Sequence, residues 1–478
     1  MKETDVQGEK QTVEGRGEWR SRVGFILAAA GSAIGLGNIW RFPAETARHG
    51  GAAFLVVYLG AVLLVGLPVM VAELAIGRRT RRNPVGAFLV LKERTPWWLV
   101  GALGVVTGVA ILSFYSVVAG WTVGYLIKAA RGDFTGVTSA DQAGEIFTAT
   151  VANGSWNMIL HALFMVLTMV IVVGGIKKGI ELASRIMMPV LLTLLAGLVV
   201  FSISLPGAEA GLRFYLQPDW SLLTPTVVIA GVGQAFFSLS LGMGAMITYG
   251  SYLGRRENLL TSAAWVAGMD TCIAFLAGLV IFPAFAAAGA DLANLPSGAG
   301  LIFTVLPTIF SSMPWQPWGG VIFGSVFFLL LSLAALTSTI SLLEVGVSWA
   351  VDELRWTRRK ASLLLGAASF VLGIPAALAN GGSDLFTRQH WLGMDFMSAM
   401  STVFGTYSLT IGALLICVFA GWVWGVKPAL AELGDGCTSP FVMRFWSLLV
   451  RYVCPLAILI ILAQSLGAIE ALMGLFQG

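Results

Sequence analysis

The sequence has 478 residues, of which 57% are hydrophobic and 11% charged, with a mean hydropathy of +0.84. A soluble protein carries about a quarter charged residues, so the composition excludes a soluble domain and predicts one polytopic helical membrane bundle. The net charge of +4 does not indicate nucleic-acid binding, because the basic residues lie in short loops. The four cysteines form no close-spaced pair, which predicts free thiols and no metal site.

Eleven apolar runs are long enough to cross a bilayer. The first 21 residues have no apolar core before a cleavage site, so no cleaved signal peptide is predicted. The predicted spans are 22–46, 51–77, 97–128, 156–174, 182–205, 223–253, 259–288, 318–350, 361–380, 389–424 and 443–473.

Basic residues cluster in the loops after the second, fourth, sixth and eighth runs. Examples are Arg78 and Arg79, Lys177 and Lys178, Arg255 and Arg256, and Arg358 and Arg359. The positive-inside rule then predicts a cytoplasmic N-terminus and an extracytoplasmic C-terminus in the cytoplasmic membrane. The segment 130–155 is predicted to be an external loop, and 290–317 to hold short helices over the outer mouth.

The first run is interrupted over residues 28–45, AAAGSAIGLGNIWRFPAE. Glycine costs about 1 kcal/mol in a helix interior, and an arginine at membrane depth costs at least about 2.5 kcal/mol. One interpretation is a packing face of small residues. The other is a helix broken in mid-membrane, with freed backbone groups lining a polar site.

A second interruption lies five runs later, in residues 233–252, where Gly242 and Gly244 flank Met243. Broken helices at corresponding positions of two halves predict a transport site between inverted repeats of five helices. The predicted organisation is an N-terminal tail (1–21), two repeats (22–205 and 223–424) and one further helix (443–473).

The residues at these interruptions resemble the neurotransmitter:sodium symporter family. The resemblance rests on GSAIGLGNIWRFP at 31–43, GGAAF with Tyr58 at 50–58, GQAFFSLSLGMG at 233–244 and ALTSTIS at 335–341. It implies an all-α integral membrane protein with the leucine-transporter fold, in which helices 1 and 6 are broken. The chain departs from the family in lacking a twelfth span, in Asp270 where many members have Asn, and in Met243 where some have Phe.

The function that the resemblance implies is sodium-coupled symport of neutral hydrophobic L-amino acids, aromatic ones included, into the cell by alternating access. The alternatives are an amino-acid-gated channel and an amino acid sensor that does not transport. An enzyme is not expected, because the three histidines form no constellation and no nucleophile motif is present.

The resemblance also implies two sodium sites. The first would consist of Ala33, Asn38, Ser238 and Asp270, completed by the substrate carboxylate. The second would combine the carbonyls of Gly31, Ile34 and Ala334 with the hydroxyls of Thr337 and Ser338, a neutral oxygen cage that suits a monovalent ion. The alternatives are a structural Asp270 bonded to backbone, and hydroxyls that bond to their own helix.

Chloride is not expected to be required. The positions that resemble the family's chloride site are Tyr58, Gln234, Ser238 and Ser240, and Asp270 would supply the negative charge itself.

The substrate site is expected at the first break. The amides of Leu36 and Gly37 begin a half-helix whose dipole favours a carboxylate, and Tyr115 would add a hydroxyl. Carbonyls near Ser32, Ala33 and Phe237 would accept from an ammonium. Gly35 stands where the family's amine carriers have Asp, which favours amino acids. The predicted side-chain subsite comprises Ile111, Tyr115, Phe237, Ser240, Met243, Ser338 and Leu342, close to Ser238.

Two gates are implied by the same resemblance. Arg41 and Asp395 would form the outer gate, above an aromatic lid of Tyr115 and Phe237. Arg16 and Asp352 would form the cytoplasmic gate near Trp19 and Tyr252, although Arg16 could also be a positive-inside anchor. Gly179 and Pro189 mark a place where the fifth helix unwinds or is simply kinked. Glu73 and Glu344 are buried acids that are either structural bridges or ion ligands.

Overall fold

The computed structural model describes residues 17–255, 257–292, 301–388, 390–434 and 439–468. In these ranges the chain is helical, and extended pairing is confined to one isolated bridge between Trp391 and Met394.

Nine helices of the described ranges are long and apolar enough to cross a membrane, and a bent pair of helices forms a tenth span. The remaining span is split into two pieces that are each shorter. In chain order the spans are α1 (Arg22–Ala33 with Gly37–Arg48), α2 (Ala52–Thr80), α3 (Trp98–Arg131), α4 (Gly154–Val173), α5 (Ile176–Ile203), α6 (Pro225–Ser238 with Ala245–Ser251), α7 (Leu259–Ala287), α8 (Trp318–Glu353), α9 (Arg358–Leu378), α10 (Phe396–Val423) and α11 (Pro440–Ser465). Helices lie in all eleven predicted runs, and ten of these are long and apolar enough to be spans, the run 223–253 being the exception.

The first break lies in α1. The helix ends at Ala33, Ile34 is extended (φ −70°, ψ 110°), and the chain resumes helical geometry at Gly37 with a π turn. The axes of the two pieces differ by 55°. The interruption is therefore an unwound segment rather than only a packing face of small residues.

The second break lies in α6, between Ser238 and Ala245. Ser240, Gly242 and Gly244 have φ values of 52°, 91° and 76°, a region that glycine adopts without the steric penalty of a Cβ. Gly242 also approaches α10 so closely that a Cβ would lie 2.2 Å from the carbonyl oxygen of Leu409.

The two broken helices lie at the centre of the bundle. The unwound part of α1 is buried, with Ile34 and Asn38 both 0% exposed. The long helices α3 and α8 pack against each other, and α7 packs against α1 and α5. Free backbone groups of the α1 break meet side chains of α3 and α8, whereas the Gly242 N–H of the α6 break meets Glu73 of α2.

Short helices lie in the two long segments between spans, 130–155 between α3 and α4 and 290–317 between α7 and α8. Residues 290–317 contain Leu301–Val305 and Leu306–Ser312, as expected. The segment 130–155 contains the helix Ala140–Ala152, which the polar composition did not predict. Ser139 accepts from the Gln142 N–H, and the Gln142 side chain accepts from the Thr138 N–H, an arrangement close to a capping box.

Candidate transport site

The unwound segment of α1 presents a backbone amide beside Tyr115 of α3. The Leu36 N–H donates to the Tyr115 hydroxyl at 3.0 Å. The Gly35 N–H donates to the Asn38 side-chain oxygen at 3.2 Å. Gly35 has no room for a side chain, because a Cβ would lie 2.5 Å from Ser338 Oγ and 2.8 Å from Tyr115 Oη. The segment is therefore held open by polar contacts to α3 and α8.

Three of the residues predicted for the first sodium site form one buried cluster. Asn38 Nδ2 donates to Asp270 Oδ1 at 2.8 Å and to Ser238 Oγ at 3.0 Å. Ser238 Oγ donates to Asp270 Oδ2 at 2.7 Å. Ala33, the fourth predicted residue, lines the adjacent cavity.

Asp270 is 0% exposed, and no described Lys or Arg forms an ion pair with it. A buried carboxylate whose partners are all neutral donors is costly unless a cation joins it. The structure thus places an acid among neutral polar groups at the break, at the position predicted for the first sodium site.

The residues predicted for the second sodium site also converge. Thr337 Oγ1 lies 3.2 Å from the Ile34 carbonyl and 2.8 Å from the Ala334 carbonyl. Ser338 Oγ lies 3.2 Å from the Ile34 carbonyl. Gly31 faces this group, since a Cβ there would lie 3.2 Å from Thr337 Cβ. Thr337 bonds across to α1 as well as to its own helix, and Ser338 bonds across to α1, so local bonding alone does not explain these hydroxyls.

A cavity of ≈ 90 Å³ is lined by residues of both breaks. Of the predicted substrate residues, it is lined by Ser32, Ala33, Gly37, Ile111, Tyr115, Phe237, Ser240, Met243, Ser338 and Leu342. Sequence reasoning missed five lining residues, namely Phe114, Ser341, Ser401, Gly405 and Leu409. Three of these are on α10, for which no motif indicated contact with the site. Of the other predicted substrate residues, Leu36 lines a second, adjacent cavity and Ser238 belongs to the Asp270 cluster.

A second cavity of ≈ 310 Å³ lies directly beyond the first. Tyr115 and Phe237, the predicted lid, line both cavities. The guanidinium carbon of Arg41 lies 4.2 Å from the centre of the Phe237 ring. Asp395 instead caps the start of α10 by accepting from Ser398 N at 3.0 Å and Ser398 Oγ at 2.6 Å. The structure does not bring Arg41 and Asp395 together as an ion pair.

The opposite side of the bundle, where α1 begins, is closed by side chains around Trp19. The Trp19 indole N–H donates to the Tyr249 carbonyl at 3.1 Å, and its backbone N–H to the Tyr252 carbonyl at 3.3 Å. Asp352 accepts from the Asn83 backbone N–H at 2.9 Å. Arg16, the predicted partner of Asp352, lies outside the described residues.

Both further buried acids bridge helices. The Tyr252 hydroxyl donates to Glu344 Oε1 at 2.7 Å, and Arg358 forms an ion pair with the same carboxylate. Glu73 Oε1 accepts from the Gly242 N–H at 2.7 Å and so supports the second break. These contacts favour the interpretation of Glu73 and Glu344 as structural bridges.

The positions that resemble a chloride site lie next to the Asp270 cluster. The Tyr58 hydroxyl donates to Ser238 Oγ at 3.3 Å, and Gln234 Nε2 donates to the Gly37 carbonyl at 3.2 Å. The Ser238 hydroxyl thus connects Asp270 to Tyr58.

Two broken helices with a buried polar cluster and a cavity between them are the arrangement of a membrane transporter. The chain belongs to the sodium:neurotransmitter symporter family, which it matches over residues 16–140 and 139–473. It is accordingly a sodium-dependent transporter and not an enzyme.

The comparison with solved structures confirms the leucine-transporter fold. The crystal structure of MhsT in complex with L-phenylalanine matches with a TM-score of 0.84 and 44% identity, over 94% of this chain and 100% of that chain. An uncharacterized sodium-dependent transporter of Bacillus subtilis is 36% identical over 454 residues, which are 95% of this chain and 98% of the relative. The sodium-dependent nutrient amino acid transporter 1 of Drosophila melanogaster is 25% identical, over 97% of this chain and 79% of its own length.

Proposed function

We propose that the protein carries neutral hydrophobic L-amino acids, aromatic ones included, into the cell together with sodium by alternating access. The observation that carries the proposal is the arrangement around Gly35. A bare backbone segment and the Tyr115 hydroxyl face the cavity, and Gly35 supplies no side-chain acid that would pair with a lone amine, which leaves room for the carboxylate of the substrate. The bound L-phenylalanine of MhsT supports this substrate class.

The two charged groups of the amino acid would be bound by different parts of the unwound segment of α1. The amides of Leu36 and Gly37, with the Tyr115 hydroxyl, would bind the carboxylate at the start of a half-helix. Carbonyls near Ser32, Ala33 and Phe237 would accept from the ammonium. The rest of the cavity is largely apolar, and no described Asp, Glu, Lys or Arg lines it. An uncharged side chain is therefore preferred, and the flexible Met243 would adapt to a ring.

Two sodium ions would enter as co-substrates. Asn38, Ser238 and Asp270, with Ala33, would hold the first, and the substrate carboxylate would complete its shell. Ile34, Ala334, Thr337 and Ser338, with Gly31, would hold the second. The convergence of these oxygens in the structure supports both assignments.

Chloride should be dispensable, because Asp270 supplies the anion beside Tyr58 and Ser238. The measurement is sodium-driven uptake after chloride is replaced by gluconate, and the rate is expected to stay the same. A severalfold decrease would contradict the assignment.

Alternating access would proceed by rearrangement of the two inverted repeats, 22–205 and 223–424, about the site. The cavity beyond Phe237, together with the closed contacts of Trp19, supports a state whose outer side is the more open. Closure would bring Arg41 toward Asp395, and opening of the other side would separate Trp19 from Tyr252 and Asp352 from its partners. With the N-terminus in the cytoplasm, this second side faces the cell interior.

The test is uptake by purified protein in liposomes with an inward sodium gradient. Labelled L-tryptophan, competed by each of the other amino acids, should accumulate above its external concentration only with sodium outside. A channel would equilibrate the label without concentrating it. A sensor would bind the label in a sodium-dependent manner without uptake. Either result would overturn the proposal.

A further inference from the structure

A buried carboxylate joins the start of α1 to the start of α5, away from the sites described above. Glu181 follows the π turn Ile176–Ile180, and its side chain is 2% exposed. Its Oε2 accepts from the Arg20 backbone N–H at 2.7 Å, and its Oε1 accepts from Ser21 Oγ at 3.4 Å. The first turn of α1 is therefore bonded to α5.

Arg185 completes this cluster from one turn further along α5. Its guanidinium lies 2.9 Å from Glu181 Oε1 and donates to Ser21 Oγ at 2.6 Å. Ser21 is also the N-cap of α1, since its hydroxyl accepts from the Gly24 N–H at 3.0 Å. One hydroxyl thus serves both the helix cap and the contact with α5, so separating the helices removes charge-assisted hydrogen bonds from a buried carboxylate.

Gly24 allows the carboxylate to lie directly on the α1 backbone. A Cβ at this position would lie 2.0 Å from Glu181 Oε1 and 2.3 Å from its carboxyl carbon. A methyl group at Gly24 would therefore displace the end of the Glu181 side chain rather than collide with backbone. This geometry provides a second, independent way to break the contact.

We propose that Glu181 is a positioning residue that holds the first turn of α1 against α5 and must release it when the transport site opens on this side. The proposal rests on the alternating access proposed above. The same helix leads from Ser21 to Ile34, whose carbonyl lies in the second candidate sodium site. The Glu181 contact and a sodium ion at that site would hold opposite ends of one short helix. When the contact is weakened, the packing of this helix against α5 should therefore depend more strongly on sodium.

The experiment is hydrogen–deuterium exchange on full-length protein in nanodiscs, without amino acid. Glu181→Ala and Gly24→Ala should each speed exchange in residues 20–33 in sodium-free buffer by about tenfold, the equivalent of losing about 1.4 kcal/mol. Sodium should restore much of the protection. The double variant should exchange no faster than the faster single variant, because both substitutions remove the same carboxylate contact.

The matched control is Glu209→Ala. Glu209 forms an i,i+4 ion pair with Arg213 at 2.5 Å, as Glu181 does with Arg185, but both side chains are exposed. This variant should leave α1 exchange unchanged. Unchanged exchange in the Glu181 and Gly24 variants, additive effects, or equally faster exchange in α4 and α9 would each overturn the proposal. Because no amino acid is present, failure of the transport assay would leave this result intact, and the reverse also holds.

Discussion

Gly35 is the residue on which the substrate class depends most directly. A Cβ at this position would lie 2.5 Å from Ser338 Oγ and 2.8 Å from Tyr115 Oη. Gly35→Ala should displace at least one of these hydroxyls. Overpacking of this kind costs about 1–3 kcal/mol, so the affinity for the amino acid should fall about tenfold or more. Equilibrium binding of labelled substrate in saturating sodium measures the change.

Gly60→Ala provides the control for this substitution, because nothing lies within 4 Å of a Cβ there. Its affinity should match that of the unmodified protein. A Gly35→Ala variant that also bound normally would show that the neighbouring hydroxyls can move without cost, and the proposed dependence of amino acid binding on Gly35 would fail.

Thr337 is the residue at which the second candidate sodium site can be tested. Its hydroxyl lies 3.2 Å from the Ile34 carbonyl across the helix boundary. Thr337→Ala removes one of five proposed ligands but keeps the Cβ that packs against Gly31. The sodium concentration for half-maximal uptake should rise about tenfold, as expected when about 1.4 kcal/mol of ligand interaction is lost.

Thr339→Ala is the matched variant on the same helix. The Thr339 hydroxyl bonds to Thr168 of α4 at 2.8 Å and lies outside the site. Its sodium activation should remain unchanged, and equal effects of the two substitutions would contradict the assignment of the second sodium site.

At the scale of the helix, Gly242 maintains the break in α6. It combines φ of 91° with a backbone contact, since a Cβ would lie 2.2 Å from the Leu409 carbonyl oxygen. Gly242→Ala should reduce the free energy of unfolding by about 1–3 kcal/mol or more, because neither the backbone angle nor Leu409 can yield cheaply. Thermal unfolding monitored in detergent would show the loss.

Gly233→Ala is the control, because it makes the same substitution within a regular helical turn of α6. Nothing lies within 4 Å of a Cβ at Gly233, and alanine is the better helix former by about 1 kcal/mol. Its stability should be unchanged or higher. A Gly242→Ala variant as stable as Gly233→Ala would mean that the break does not require glycine.

The breaks were predictable from sequence because their cause is local. Glycines and an arginine within an apolar run conflict with a continuous helix, and the structure unwinds α1 at Ile34. The contribution of α10 was not predictable, because Ser401 and Gly405 have no unusual local pattern and reach the cavity only through the packing of the whole helix. Pairing of Arg41 likewise depends on the position of α10, and here its guanidinium lies over Phe237.

For the whole molecule, the central fact is that one unwound segment serves every proposed ligand. The carbonyl of Ile34 lies at the second candidate sodium site, the amide of Gly35 bonds to Asn38 of the first, and the amide of Leu36 faces Tyr115. Three consecutive residues cannot adapt to one ligand without changing the geometry offered to the others. Coupling between ions and substrate therefore follows from chain connectivity.

This connectivity predicts reciprocal coupling between sodium and amino acid. Saturating sodium should raise amino acid affinity by a factor of about 5 to 150, and saturating amino acid should raise sodium affinity by the same factor. Binding titrations of each ligand at fixed concentrations of the other measure both factors on one preparation. Factors of one in both directions would mean that ions and substrate bind independently, and the argument from the shared unwound segment would fail. With coupling intact, two sodium ions moving through 100 mV contribute about 4.6 kcal/mol, before any sodium gradient is counted.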